Sequence, residues 1–209
     1  MLTSITQTIQ QLDEQLLLAI NGTPEWAAEL MWSASQTWVW IPLYLLVMLA
    51  VIRAGRRQGG WTAAFGGVLV LAATFGATDA ISARIIKPGF ERLRPSHAPS
   101  LEGQLILASR PSDGADASSS METYRGGRYG FVSSHAANTF GLAAAFILLM
   151  GRARWLWAWA ALVSWTRLYL GVHYATDILA GAVLGIGCAA ALRTLHLRIQ
   201  PAIINLRNA

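Results

Sequence analysis

The stretch from Phe131 to Met150, FVSSHAANTFGLAAAFILLM, combines two different properties. Most of it is an apolar run, and its length is within the roughly 17 to 25 residues that a helix needs to cross a bilayer. Its first residues include two serines and a histidine, Ser133, Ser134 and His135, which crossing a bilayer does not require. The stretch therefore predicts a membrane-spanning helix with polar chemistry at one end.

The composition of the whole chain supports a membrane environment. Of 209 residues, 54% are hydrophobic and 13% are charged, against roughly 25% charged in ordinary soluble domains. Four further apolar stretches approach the length of a span, at residues 28–52, 61–83, 155–171 and 175–195. We therefore predict an all-α fold, a polytopic transmembrane bundle of about five to six spans, forming one membrane-integrated domain over residues 1–209.

The first 25 residues show a different pattern. Apolar side chains recur there at the spacing of one helical face, at Ile5, Ile9, Leu12, Leu16 and Ile20. Polar residues separate them, so the segment is too polar to span a bilayer. This pattern predicts an amphipathic helix that lies in the membrane interface.

Arginines in the short connections predict the orientation. They occur without acidic residues in RAGRRQGG, in GRAR and in the C-terminal tail, namely at Arg53, Arg56, Arg57, Arg152, Arg154, Arg193, Arg198 and Arg207. Because cytoplasmic loops are enriched in Lys and Arg, these segments should face the cytoplasm and the long connection 84–130 should lie outside. The formal net charge of +5 then reflects topology, and no nucleic-acid partner is expected.

Three polar clusters should meet at the outer face. They are KPGFERLRP (Lys87 to Pro95), the SSH at the start of the third span, and TRLYLGVHYATD (Thr166 to Asp177). Ionisable groups at membrane depth are costly and usually mark a functional site. The outer connection 84–130 is therefore predicted to form part of an active site.

The cationic members of these clusters indicate a phosphate ligand. Lys87, Arg94 and Arg167 can donate charge-assisted hydrogen bonds to phosphate oxygens. Ser133 and Ser134 lie where a helix begins, a position that offers hydroxyls and unpaired N–H groups to an anion.

The histidines provide the groups for phosphoryl transfer. His173 and Asp177 are four residues apart, so on one helical face the carboxylate would hold Nδ1–H and leave Nε2 free as a nucleophile. His135 then remains as the acid.

In this order and spacing, the three clusters resemble the signature of the type 2 phosphatidic acid phosphatase (PAP2) family of membrane lipid phosphatases. The resemblance runs from the second to the fifth span. Three positions depart from the family pattern, with Val132 at its Pro, Ser134 at its Gly and Thr166 at its Ser. Ser134 keeps the backbone N–H and Thr166 keeps a hydroxyl, so activity is expected to survive.

The resemblance implies a mechanism without a metal or other cofactor. His173 attacks phosphorus and becomes a phosphohistidine, Asp177 orients it, and His135 protonates the leaving oxygen and later activates water. The oxygens of the phosphoryl group would be held by Lys87, Arg94, Ser133, Ser134 and Arg167.

We expect the protein to lie in a bacterial cytoplasmic membrane with its site facing the periplasm or the exterior. For such a site the resemblance favours undecaprenyl diphosphate as the substrate. Phosphatidylglycerol phosphate, phosphatidic acid and lipid A phosphates are the alternatives. Besides this substrate and the surrounding lipids, the sequence indicates no partner and no oligomeric state. Arg125 and Arg128, in METYRGGRYGF, are predicted to hold the second phosphate of a diphosphate.

Other interpretations remain. His135, His173 and Asp177 are plausible zinc ligands, although the neighbouring cations favour an oxyanion. A transporter or channel would also carry charges in the membrane. A purely structural role accounts for the small residues Gly181 and Gly185. Asp79, inside the second span, is expected to be the buried partner of an arginine.

Overall fold

In the computed structural model, residues 2–111 and 121–208 are described, and nearly all of their regular structure is helical. The two short strands β1 (Ser109–Pro111) and β2 (Met121–Thr123) pair antiparallel. The helices are α1 Leu2–Ile20, α2 Ala28–Ser35, α3 Ile41–Ala80, α4 Lys87–Phe90, α5 Ser134–Met150, α6 Leu156–Tyr169 and α7 Ala175–Asn208. This architecture confirms the predicted all-α bundle.

Helix α1 has the predicted amphipathic character. Ile5, Ile9, Leu12 and Leu16 are all exposed, so a continuous apolar face is available to a membrane surface. The adjoining part of the helix surface carries a buried carboxylate, Asp13. The helix therefore exposes a row of apolar side chains, while its buried residues pack against the bundle through polar and apolar contacts.

Helix α3 consists of two helices joined by a sharp break. Gly59 and Gly60 leave helical geometry, and Gly60 has φ of 70°, a conformation that favours glycine. A Cβ added to Gly67 would lie 2.6 Å from Cγ1 of Val51, so the two arms pack side by side. Residues 41–58 and 61–80 thus supply the first two predicted spans as an antiparallel pair.

The helices at the predicted third, fourth and fifth spans are α5, α6 and α7, of which α6 is short and α7 continues past residue 195. Helix α5 packs most extensively against α7, and glycine allows the close approach. A Cβ on Gly181 would lie only 2.5 Å from the carbonyl oxygen of Ser133, and Gly185 lies against the backbone of Ala137. The small-residue contact expected from the sequence is therefore the α5–α7 seam.

The described residues include two helical segments with the length and composition of a span, Thr37–Phe90 and Ala175–Ile199, and a shorter apolar helix, Ser134–Met150. The first span begins later than predicted. Instead of one helix from residue 28, the short helix α2 is followed by a 3₁₀ turn, Thr37–Trp40, before α3 starts.

The connection after α3 is more structured than a loop. A π-helical segment, Ile81–Ile86, continues the helix directly into α4. Farther along, Leu93 forms an isolated antiparallel bridge with Tyr129. This bridge draws both ends of the 84–130 connection toward the start of α5.

Candidate active site

The three predicted polar clusters meet at one end of the bundle. Ser133 N–H donates to the Asp177 carbonyl at 3.0 Å, so the start of α5 lies against the start of α7. Lys87 Nζ donates to Ser134 Oγ at 2.7 Å, which brings the connection after α3 to the same place. The arginine-rich turns at residues 53–57 and 152–154 lie at the opposite ends of these helices.

His173 and Asp177 form a buried pair. The Nδ1 atom of His173 lies 3.2 Å from Oδ2 of Asp177. The two residues do not share a helical face as predicted, because His173 precedes α7, which begins at Ala175. The Tyr174 backbone N–H donates to the same Oδ2 atom at 3.0 Å. Because the carboxylate engages Nδ1, Nε2 is the ring nitrogen left for chemistry.

His173 is held in its neutral form. Burial lowers its pKa well below the usual value, and the charges of Arg94, Arg167 and Lys87 lower it further, whereas a backbone hydrogen bond with Gly130 raises it. Loss of hydration and nearby like charge both disfavour an imidazolium. A neutral imidazole retains the lone pair that a nucleophile needs.

The cations around this histidine lack carboxylate partners. Among the described residues, no Asp or Glu lies within 4 Å of the charged nitrogens of Lys87, Arg94 or Arg167. Burial, followed by the charge of Arg167, lowers the pKa of Arg94. Three cations held together without direct ion pairs make a site for an anion.

Arg167 shows this most clearly because only 1% of its surface is exposed. Its Nη2 atom donates to the Tyr124 hydroxyl at 2.8 Å. Within the described part of the chain, its Nε–H has no acceptor. Leaving a buried charged donor unsatisfied is costly, and a phosphate oxygen would remove that cost.

The two serines differ in their surroundings. Ser133 is fully buried and caps α5, since its Oγ accepts from the Ala136 N–H at 3.4 Å. Ser134 Oγ lies 2.9 Å from Ser82 Oγ and also accepts from Lys87. The Ser133 hydroxyl can still donate its own hydrogen, and its donation to phosphate stays a prediction.

His135 lies on the first turn of α5 and lines a cavity of about 220 Å³. Arg167, His173 and Arg94 all interact with it electrostatically. The predicted nucleophile and the predicted acid therefore belong to the same cationic site.

Arg125 and Arg128 have exposed side chains, and their backbones lie beside the site. The Arg94 N–H donates to the Arg128 carbonyl at 3.0 Å, and Ser96 Oγ donates to the Arg125 carbonyl at 2.6 Å. A Cβ on Gly126 would lie 2.5 Å from Nη1 of Arg94. Binding of a second phosphate by the two arginines stays a prediction.

Arg92 is the residue that sequence reasoning missed. Its Nη1 donates to Asp177 Oδ1 at 3.0 Å and to Thr176 Oγ1 at 2.6 Å. Its Nη2 donates at 2.7 Å to Asp13 Oδ2 and to Gln10 Oε1, both on α1. The Thr176 hydroxyl also donates to Asp13. Because Asp13 is 79 residues away in the sequence, no local pattern could have revealed the network.

Asp79 does not have the role expected for it. Its side chain is exposed, not buried, and no Arg, Lys or His in the described ranges forms an ion pair with it. Asn138 Nδ2 approaches its Oδ1 at 3.5 Å. The expectation of a buried arginine partner is therefore wrong.

The zinc alternative can be compared with the same geometry. Over residues 2–111 and 121–208 there is no group of three or more His, Cys, Asp and Glu side chains arranged to hold a metal ion. The carboxylate oxygens of Asp177 contact Arg92, His173 and a backbone N–H. These contacts match a carboxylate that orients an imidazole.

The chain is similar to several known proteins. A model of the PAP2 superfamily matches residues 62–201. The chain is 33% identical over 183 residues to a lipid A 4'-phosphatase of Bacteroides thetaiotaomicron, covering 85% of this chain and 73% of that protein. It is 30% identical over 185 residues to a lipid A 4'-phosphatase of Porphyromonas gingivalis, covering 85% and 70%.

A solved structure shares the fold. The PAP2-type phosphatidylglycerolphosphate phosphatase from Bacillus subtilis superposes with a TM-score of 0.60 at 20% identity, over 92% of this chain and 88% of that one. The chain belongs to the PAP2 superfamily. It is a membrane lipid phosphatase, a hydrolase of phosphoric esters.

Proposed function

We propose that this phosphatase hydrolyses a phosphate monoester of a phosphorylated glycolipid of the lipid A type and releases the phosphate. The reaction passes through a phosphohistidine on His173. The observation that carries the proposal is the cluster of Lys87, Arg94 and Arg167, whose charged nitrogens have no carboxylate partner among the described residues. This cluster surrounds a neutral, carboxylate-held His173.

In the first step, Nε2 of His173 attacks phosphorus while Asp177 holds Nδ1–H. The bond from phosphorus to the lipid oxygen breaks, and His135 supplies a proton to that oxygen. The Arg94 and Arg167 guanidinium groups and the Lys87 ammonium hold the phosphoryl oxygens, whose charge is stabilised by preorganised donors. In the second step, His135 accepts a proton from the water that hydrolyses the phosphohistidine.

The serine at position 134 is compatible with this chemistry. Its hydroxyl lies between Lys87 and Ser82, so the side chain occupies space beside the ammonium group. Its backbone N–H is in the first turn of α5, where no intrahelical acceptor is available. That N–H is the donor that we assign to the phosphate.

The choice of substrate rests on the two curated relatives, both of which are lipid A 4'-phosphatases. Undecaprenyl diphosphate, favoured by the sequence, is the alternative, and exposed Arg125 and Arg128 are the feature that supports it. Phosphatidylglycerol phosphate and phosphatidic acid complete the set of substrates to compare.

The test measures phosphate release by the purified protein in mixed micelles, with each of these four lipids at matched surface concentration. We expect kcat/KM to be highest for lipid A, and analysis of the product should show which phosphate was lost. A higher value for undecaprenyl diphosphate would overturn the choice of substrate. Loss of all activity in His173→Ala and in Arg167→Ala would link the rate to this site.

We also assign the site to the periplasmic or outer side of the bacterial cytoplasmic membrane. The arginines at residues 53–57 and 152–154 support this orientation because they lie at the opposite end of the bundle. Single cysteines introduced at exposed Arg125 and at exposed Arg57 offer the measurement in intact cells. A membrane-impermeant thiol reagent should label the first and spare the second, whereas the reverse pattern would invert the topology.

A further inference from the structure

The cavity beside His135 has a polar wall, and apart from Ser134 the phosphate chemistry does not use it. Its polar lining residues are Ser35, Thr37, Asp79, Ser134, Asn138 and Thr139. Asp79 lies at the outer end of α3 and is the acidic member of this set. From this arrangement we infer that the cavity binds the leaving group of the substrate, and that Asp79 selects a leaving group that carries free hydroxyl or amide N–H donors.

Asp79 has unused capacity to accept hydrogen bonds. Its contact with Asn138 Nδ2 is long, at 3.5 Å, whereas Thr78 Oγ1 lies 2.7 Å from Asn138 Oδ1. A carboxylate only accepts hydrogen bonds, so the Asn138 amide must turn its NH₂ toward Asp79 and its oxygen toward Thr78. Both side chains line the cavity, Asp79 as an acceptor and Asn138 as a donor.

The polar cavity continues into an apolar one. A second cavity of about 420 Å³ shares Thr37, Tyr44 and Phe75 with the first. Its other lining residues lie farther along the same helices and are almost all apolar: Leu43, Val47, Met48, Val68, Leu71, Ala72, Leu142, Ala143, Leu156 and Trp159. The lining thus changes from polar to apolar with distance from His135.

The two connected cavities form a groove. The depth of this groove matches one leaflet of a bilayer. From Asp79 to Val68 the helix rises about 16 Å, roughly half of the 30 Å hydrocarbon core. A lipid whose phosphate lies at His173 would therefore place its headgroup beside Asp79 and one hydrocarbon chain along the groove. We assign the apolar cavity to a chain of the substrate itself, because it is continuous with the cavity that contains His135.

The arrangement has a direct consequence for the reaction. When the P–O bond breaks, its electron pair stays on the leaving oxygen, which takes the proton of His135, and the phosphoryl group passes to His173. A sugar or glycerol hydroxyl next to that oxygen would be held by Asp79 during this step. A leaving group without such donors would leave the carboxylate facing apolar atoms, which costs free energy.

This inference deepens the proposed function and is tested separately from it. Three lipids with matched acyl chains are compared: lipid A and phosphatidylglycerol phosphate, whose leaving groups carry free hydroxyls, and phosphatidic acid, whose leaving group has none. In Asp79→Ala, the kcat/KM of the first two relative to phosphatidic acid should fall about tenfold or more, as for loss of a hydrogen bond to a charged group. Asp79→Asn should fall less, because the amide oxygen still accepts.

Glu29→Ala is the matched control, since Glu29 is an exposed carboxylate outside both cavities. It should leave both ratios unchanged. Unchanged ratios in Asp79→Ala, or an equal loss on all three lipids, would overturn the inference. If the unsubstituted enzyme ignores lipid A, the proposed substrate fails, while the ratio of phosphatidylglycerol phosphate to phosphatidic acid still tests Asp79.

The apolar groove is tested by filling it. Ala72→Trp should lower kcat/KM for long-chain phosphatidic acid relative to its dibutyryl analogue by about tenfold. Leu69→Trp is the control, since Leu69 is exposed on the same helix and does not line the cavity. The same ratio in both variants would show that the chain lies elsewhere.

Discussion

Arg92 and Asp177 form an ion pair of 3.0 Å that involves Oδ1, the carboxylate oxygen that does not face His173. The Arg92 guanidinium thus holds Oδ1 of the carboxylate, while Oδ2 holds the imidazole of His173. The Nη2 atom of Arg92 bonds to Asp13 on the amphipathic helix α1. The orientation of the nucleophile is therefore connected to a helix whose apolar side is exposed.

Arg92→Ala should reduce kcat about tenfold or more, because a charge-assisted hydrogen bond to the orienting carboxylate is lost. KM should change much less, since Arg92 is a positioning residue whose hydrogen bonds go to protein groups. In a double-mutant cycle with Asp177→Asn, the two effects should be strongly non-additive. Arg84→Ala, at an exposed arginine in the same connection, is the control. Additive losses would assign Arg92 to the fold alone.

His173→Ala should abolish turnover, whereas His135→Ala should still form the phosphoenzyme slowly with a substrate that has a good leaving group. The nucleophile is needed for the covalent route, while a general acid contributes about 10²- to 10⁴-fold and matters less when the leaving oxygen is already stable. Acid-quenched trapping of radiolabelled phosphoenzyme distinguishes the two. Substantial hydrolysis by the His173 variant would refute the assignment of the nucleophile.

Vanadate should inhibit the enzyme, and EDTA should leave its activity unchanged. Vanadate adopts the five-coordinate geometry of the transferring phosphoryl group, and the Lys87, Arg94 and Arg167 cluster should bind it. Inhibition by vanadate should weaken in Arg167→Gln. The observation that would restore the metal hypothesis is loss of activity on chelation followed by recovery with zinc or magnesium.

Combining Arg125→Ala with Arg128→Ala should weaken hydrolysis of undecaprenyl diphosphate about tenfold more than hydrolysis of a lipid monophosphate, if these arginines hold a second phosphate. The estimate corresponds to one charge-assisted hydrogen bond. Steady-state kinetics on both lipids provides the comparison. Equal losses would leave the segment a structural role, through its backbone bonds to Arg94 and Ser96.

His173 should titrate below its ordinary pKa of about 6.5. Burial and the charges of Arg94, Arg167 and Lys87 all act in that direction. The unfolded chain then binds this proton more readily, so the contribution of His173 to folding becomes unfavourable as pH falls below the ordinary value. NMR of histidine-labelled protein, assigned with His173→Asn, measures the midpoint. A midpoint at or above 6.5 would contradict the described electrostatics.

The sequence was sufficient to predict the membrane class, the amphipathic N-terminal helix and the meeting of three polar clusters. Those features depend on local periodicity and on residue types that the bilayer penalises. His173 and Asp177 also meet as expected, although not on one helical face, because His173 precedes α7, which begins at Ala175. Such features are written in short stretches of chain and need no knowledge of tertiary contacts.

The sequence was insufficient where distant segments decide the outcome. The Arg92 network depends on the docking of α1, and the exposed position of Asp79 depends on which side of α3 faces α5. The first span was placed too early, since residues 28–40 form α2 and a 3₁₀ turn. Here the polar residues Glu29 and Gln36 were a signal that the segment is less apolar than a span.

The seam between α5 and α7 holds together the segments that carry the two histidines. The helices are so close at Gly181 that a side chain there would collide with the backbone of α5. The Ser133 N–H also donates directly to the Asp177 carbonyl. The segments that carry His135 and His173 are thus joined through main-chain atoms, whose separation varies far less than that of side chains. Because the two helices leave no space between them, we expect a lipid to reach the histidines from the side of α3, whose residues line both cavities.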